Sequence, residues 1–309
     1  MPAKKKKRAA AKAAAAASSA DAPAGAPPAK RRRRRGGAPA EASADGAANA
    51  RRRDGDAASA ASSVDEFEVE FEFCDPDEAD AKPVAELLRS GTWDFAALSL
   101  AELAETVADQ GNIGTLVKSG KGGEHEAVCG MLTVLNPRQH STLEWPGAIA
   151  KALLKRAEAA GPGPLKELKA LLEPREGREL GLFLAERYAN IPLELVPPLH
   201  KCLQEDIDWS CETPECPPEE RPFYRFTHFI RVARGRRAPE GGHLEVQGEQ
   251  LQLELREDEP YARRANFIFA FRYSGAKGEG GWDRRVVFSL TREAAQKAAR
   301  ELHKVLSSE

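Results

Sequence analysis

The sequence predicts an α/β fold. A single domain over residues 65–309, built on a mixed, largely antiparallel sheet flanked by helices, follows a disordered tail over residues 1–64. Three observations predict it. Residues 1–64 are mostly Ala, Arg, Lys, Gly, Pro and Ser, with Met1 and Val64 as the only larger aliphatics, so they bury too little apolar area to offset ordering entropy. From residue 65 the pattern switches to strict alternation, and helical and strand-like segments then alternate through the middle of the chain. After residue 220 strand-like segments follow one another before a closing helix, an order that places helices and strands on one mixed sheet.

The elements follow in order. In EFEVEFEF, residues 66–73, Phe67, Val69, Phe71 and Phe73 share one face, and Glu66, Glu68, Glu70 and Glu72 share the other. That is a half-buried strand with an anionic outer row, extended by Asp75, Asp77, Glu78 and Asp80. The row reads either as an edge kept from aggregating by charge or as a cradle for a basic partner. KPVAELLRSG is a helix capped by Gly91, and SLAELAETVADQG is a second one, with Leu100, Leu103, Ala104 and Val107 at helical spacing and Gly111 as its stop. IGTLVKS and AVCGMLTVLN read as strands around the glycine-rich turn GKGGE. GAIAKALLKRAEAAG and PLKELKALLEP are helices, and the apolar run ELGLFLAERYA suits a central strand. ELVPPLHKCLQED resumes as a helix with Pro197 and Pro198 in its first turn or just before it. FYRFTHFIRVA, HLEVQGEQLQLEL, ANFIFAFRYS and RRVVFSL make four strand-like segments. Thr291 then caps a last helix whose buried stripe is Ala295, Ala298, Leu302 and Leu306.

The charge is split along the chain. The tail carries fifteen basic and five acidic residues, a balance of +10, and the whole chain sums to −2, which leaves −12 on residues 65–309. Lys4, Lys5, Lys6, Lys7 and Arg8 form one basic cluster, and Lys30, Arg31, Arg32, Arg33, Arg34 and Arg35 form another. The pair reads as a nuclear-import address. A merely solubilising tail, or phosphate-driven and unspecific RNA binding, are the other readings of the same residues. No run reaches the eighteen or more apolar residues of a membrane span. The alanine run near the amino terminus is too weakly apolar for a signal peptide, and five sparse cysteines fit a reducing compartment.

Motifs for chemistry fail on spacing. GTLVKSGKGG, residues 114–123, puts five residues between Gly114 and Gly120 where a phosphate loop needs four, and Gly122 follows Lys121 in place of Ser or Thr. His200, Cys202, Cys211 and Cys216 match no common zinc spacing, and no third group orients Cys202 and a histidine as a nucleophilic pair. Glu186 and Arg187 are neighbours on a strand and face opposite sides, which favours a structural role at the strand end near Asn190 and Pro192 over an acid with its modulator. No catalytic, cofactor or metal site is expected.

Three stretches carry a family pattern. ERYANIPLELVPPLHKCL, with Glu186, Arg187, Asn190 and Pro192, resembles the signature of the BCCIP family, named in animals for binding a breast-cancer susceptibility protein and a cyclin-dependent kinase inhibitor. QGNIGTLVK, with Gln110, Gly114, Thr115 and Lys118, resembles its companion segment, and VEFEF at 69–73 with Asp75 resembles its opening strand. The resemblance implies a fold similar to the GNAT-like acetyltransferase sheet without that activity. QGNIGT supplies Gln110 but places Gly114 outside the acetyltransferase pyrophosphate-loop spacing. It further implies nuclear residence and the escort of a basic large-subunit ribosomal protein, with links to ribosome biogenesis and nuclear export. A divergent acyltransferase is the rival, and an RNA-binding factor acting through the tail is the third reading. Family members often carry an acidic amino-terminal tract where this chain has a basic one.

Overall fold

A computed structural model describes residues 70–90, 92–93, 97–120, 127–238, 244–273 and 281–307. The tail, both basic clusters, the boundary at residue 65, Glu66, Glu68, Gly91 and residues 121–124 of the GKGGE turn lie outside the described residues. The strands are β1 (Phe71–Cys74), β2 (Thr115–Ser119), β3 (Ala127–Leu135), β4 (Glu179–Arg187), β5 (Phe226–Arg237), β6 (Leu244–Val246), β7 (Glu249–Leu253), β8 (Phe267–Arg272) and β9 (Arg284–Thr291). The helices are α1 (Ala81–Ser90), α2 (Leu100–Asp109), α3 (Glu144–Ala160), α4 (Pro162–Leu172), α5 (Val196–Glu212), α6 (Asp258–Ala262) and α7 (Arg292–Leu306).

All nine strands join one sheet, in which β1 to β4 pair antiparallel in sequence order. The β4–β5 pair is parallel, because α5 carries the chain back across the sheet between them. That pairing runs only from Glu179↔Phe226 to Phe183↔Arg231. Beyond it β4 stays on β3 as far as Arg187, while β5 continues along β9. Gly235 pairs with Leu253 on one side and Arg284 on the other, so β7 takes the edge of β5 that β4 has left. The two strands thus fork.

Each strand face meets its own core. Phe183, Ala185, Phe229 and Ala233 pack with α5 and α7 residues such as Leu199, Leu203, Ala298 and Leu302. Leu182, Leu184, Ile230 and Val232 pack on the opposite face with Val84, Leu103, Trp145 and Ile149 of the first three helices. Alternation along β4 and β5 therefore sends apolar side chains to both faces, which is why those segments read as continuous apolar runs.

Two expectations are met: Thr291 caps α7 through Ala294 N, and Pro197 and Pro198 sit in the first turn of α5. Ser99 caps α2 through Glu102 N. One expectation needs correction. The HLEVQGEQLQLEL segment is two strands, because Gln247 at φ 52 and Gly248 at φ 78 turn it into a hairpin. The described part of the first strand spans Phe71–Cys74. The helix before Gly111 ends at Asp109, with Gln110 as its C-cap and Gly111 next after it.

Candidate functional site

The fork between β4 and β5 exposes backbone and invites a filling. The chain supplies it from residues 254–262. Glu254 N donates to Arg234 O on β5, and Arg231 Nη2 donates to Ala185 O on β4, a carbonyl that has no β5 partner at that height. Every residue of α6 is buried, although two of its five are acidic. A buried carboxylate needs a partner: Glu259 meets Arg263 at the end of its own helix, and Asp258 and the preceding Glu257 find cations from the sheet.

Arg231 is wholly buried and grips Asp258 through Nε and Nη2, both at 3.0 Å. Arg187 grips Glu257 in the same forked manner, at 2.7 and 2.9 Å. His200 of α5 reaches Tyr261 Oη from Nδ1 at 2.7 Å. One short helix is thus tied to β4, β5 and α5. Burial lifts the Asp258 carboxyl above its ordinary range, and Arg231 pulls it part of the way back. Burial also pushes Glu257 up, but the Arg187 hydrogen bonds and charge outweigh it and hold that carboxyl below its usual value.

Glu186 points to the other face, as alternation demands. Its Oε1 accepts from Thr92 N at 3.1 Å, and Thr92 O accepts from Arg285 Nε at 3.1 Å. The peptide backbone after α1 is therefore clamped between β4 and β9. Burial raises the Glu186 carboxyl, opposed by Arg231 and the Thr92 hydrogen bond. The two signature neighbours do not pair with each other; each anchors a different layer on its own side of the sheet.

The companion segment does similar work elsewhere. Gln110 is buried, and its Nε2 lies within hydrogen-bond distance of Ile113 O, Thr133 Oγ1 and Val134 O. Gly114, at φ 122, donates its N–H to Asp206 Oδ2 on α5, and Ser210 Oγ donates to Asn112 O. Loop 110–114 thereby fastens the end of α2 to the middle of α5. Asn190 and Pro192 lie exposed on the turn after β4, away from the buried ion pairs. Glu70 is exposed, but Glu72 is half-buried, and Asp80 is paired with Lys118 Nζ at 2.7 Å. The anionic row is therefore partly built into the fold, not free along its length.

The cysteines and His200 are dispersed. Cys211 Sγ donates to Tyr224 O, Cys216 Sγ to Pro217 O, and Cys202 is buried in α5. Arg231, Glu257, Asp258 and Tyr261 do not stand out in the sequence. Arg231 interrupts the apolar run FTHFIRVA, and that interruption was the available signal: an arginine at a buried strand position demands a buried acid.

His200 gives the site a pH dependence. Its pKa falls to about 4, driven by burial, with Glu257 opposing and Arg231 and Arg187 adding to the drop. In the unfolded chain a histidine titrates near ~6.5. As pH falls from there towards 4 the unfolded chain takes up a proton that the folded one refuses, so stability falls. The difference is on the order of 3 kcal/mol. Urea midpoints of the wild type and His200→Gln at pH 7, 5.5 and 4 check this: the advantage of the wild type should shrink as pH drops.

What the fold and this cluster define is an α/β scaffold whose strand fork is filled by its own ion-paired helix. The model for the BCCIP family matches residues 66–265, and the chain belongs to the BCCIP family. It is 32% identical over 179 residues to protein bcp1 of Emericella nidulans, covering 57% of each chain. It is 26% identical over 221 residues to the BCCIP homologue of Arabidopsis thaliana, covering 68% of this chain and 64% of that one. The matches thus span somewhat more than half the length of these relatives. The crystal structure of BCP1 from Saccharomyces cerevisiae superposes with a TM-score of 0.53 at 17% identity, over 80% of this chain and 93% of that one, and so shares its fold.

Proposed function

We propose that the protein is a non-enzymatic nuclear chaperone or adaptor. It binds a basic large-subunit ribosomal protein and supports 60S assembly and nuclear export. The observation that carries this reading is the charge split, −12 on residues 65–309 against +10 on the tail. An anionic body can neutralise an RNA-binding face and steer its capture. The geometry supports a place for it. Exposed Glu105 and Asp109 at the end of α2, and exposed Asp208 and Glu212 on α5, lie on the two helices fastened at loop 110–114. The basic clusters at Lys4–Arg8 and Lys30–Arg35 serve as the import address in this reading. The filled fork supports a binding role over acyl transfer, since the space between β4 and β5 is taken by the chain itself.

The test is capture from nuclear extract by residues 65–309 beside the full chain, with and without nuclease, read by mass spectrometry. One basic ribosomal protein dominating both captures is the expected result. Ribosomal proteins retained by the full chain alone and lost on nuclease treatment would overturn it in favour of RNA binding by the tail. Calorimetry with acetyl-CoA addresses the rival activity; no heat of binding is expected.

A further inference from the structure

Strand β8 has one edge on β9 and the other open. Tyr273 N donates to Asp283 O, so the odd-numbered residues of β8 turn their backbone groups towards β9. Ile268, Ala270 and Arg272 turn theirs outward, and among the described residues no strand pairs with that side. One of these groups has a partner, and it is not a strand. Ala270 N donates to Gln247 Oε1 at 3.0 Å, from the tip of the β6–β7 hairpin. Gln247 holds φ 52, the one positive φ outside glycine among the described residues. A two-residue turn of this kind favours Asn or Gly, so Gln sits there under strain, and strain of that sort collects at functional positions. Its side-chain amide is chemically a peptide group. It stands where the carbonyl of a neighbouring strand would stand. Beside it opens a cleft of about 320 Å³, with Val246, Ala270, Phe271 and Arg272 among its walls.

We propose that the outer edge of β8 is a docking site for an extended segment of a partner protein, which adds to the sheet as a strand and displaces the Gln247 amide. An open edge is a template for another chain. Strand addition draws its affinity from backbone hydrogen bonds and its specificity from alternate side chains. One amide serves Ala270 alone, whereas a strand also serves Ile268 and Arg272, and that difference drives the exchange. On one face the incoming side chains meet Ile268, Ala270 and Val246, all part of the apolar packing on the α5–α7 side, so they are apolar. On the other face they meet Phe271, with the Arg156 guanidinium 5.2 Å from its ring centre, so they are polar. Proline is excluded wherever the segment's own N–H must face β8. None of these groups belongs to the acidic surface proposed for the basic cargo.

The test uses the full-length protein and the peptide acetyl-Thr-Val-Glu-Val-Thr-amide, long enough to run beside Ile268–Arg272. Amide hydrogen exchange is followed by NMR. The Ile268 and Arg272 N–H groups should exchange more slowly once the peptide is added. Two further peptides carry backbone N-methyl groups, one at both Val residues and the other at Glu and the Thr residues. In an added strand only one of these sets faces β8, so one methylated peptide should fail and the other should bind as the parent does. Gln247→Gly removes the competing amide and suits the positive φ, so it should keep the fold. It should bind the parent peptide about twofold to tenfold more tightly, the worth of one exchanged hydrogen bond. Unchanged exchange at millimolar peptide overturns the proposal. So does the failure of both methylated peptides, or of neither, because the contact then does not run along the backbone. Gln247→Gly that self-associates in sedimentation and ignores the peptide overturns it as well, and makes Gln247 a guard against pairing with a second copy of this chain.

Discussion

Replacing Arg231 by methionine should destabilise the domain by about 3–5 kcal/mol, a large part of the total stability of a domain this size. The side chain is fully buried and holds both oxygens of the equally buried Asp258. Removing it leaves a carboxylate in an apolar interior, where the desolvation penalty is no longer offset. The same change strips the donor from Ala185 O, adding the cost of an unmade backbone hydrogen bond. It also removes the cation that restrains the buried Glu186 carboxyl from rising further. Urea denaturation should show the midpoint falling with an unchanged slope. The double variant Arg231→Met with Asp258→Leu separates the causes. Removing both charges should recover most of the loss, since buried pairs exchange for apolar groups at little net cost. A residual deficit of about 1–3 kcal/mol should remain from Ala185 O. If the double variant is as unstable as the single one, Arg231 acts through something other than its charge.

The same residues mark how far sequence reasoning reaches. What periodicity and local chemistry specify was legible: Thr291 as a cap, the prolines opening α5, and the apolar runs of β4 and β5. The opposite facings of Glu186 and Arg187 follow from alternation, and the structure places their partners, Thr92 and Glu257, on opposite sides. What those partners would be was not legible. Thr92 lies 94 residues from Glu186, and Glu257 lies 70 residues from Arg187. No local rule ties positions so far apart. Residues 257–261 fall between strand-like segments, and three acids and a proline in five positions ordinarily belong at a surface. Only the fork in the sheet, a property of three strands together, gives that segment a reason to be buried. Tertiary context overrode composition here, and the ion pairs are how the chain accommodates it.

The second large effect is expected at Gly114. Gly114→Ala should cost about 2–5 kcal/mol, from two causes that act together. The backbone there sits at φ 122, a conformation that L side chains avoid at about 1–3 kcal/mol. A Cβ would also stand 2.6 Å from Thr133 Oγ1 and 2.7 Å from Thr133 Cβ, closer than packed atoms tolerate, and overpacking of this kind costs about 1–3 kcal/mol. Thr133 cannot retreat freely, because its hydroxyl donates to Ile113 O and accepts from the buried Gln110 amide. The second-site change Thr133→Ala should therefore fail as a rescue: it removes Oγ1 but leaves the Cβ contact and the backbone strain, and it deprives Gln110 of an acceptor. Gly111→Ala is the internal control. It lies in the same loop with nothing nearer than Pro76 O at 3.8 Å, and it should stay within about 0.5 kcal/mol of the wild type. Thermal or urea unfolding of the four proteins checks the order. If Gly114→Ala proves as mild as Gly111→Ala, the loop is slack, and it does not fix the end of α2 against α5. If the order holds, the loop sets the spacing between the exposed acids on those two helices. Capture of a basic partner should then weaken in Gly114→Ala even at temperatures where the domain is still folded.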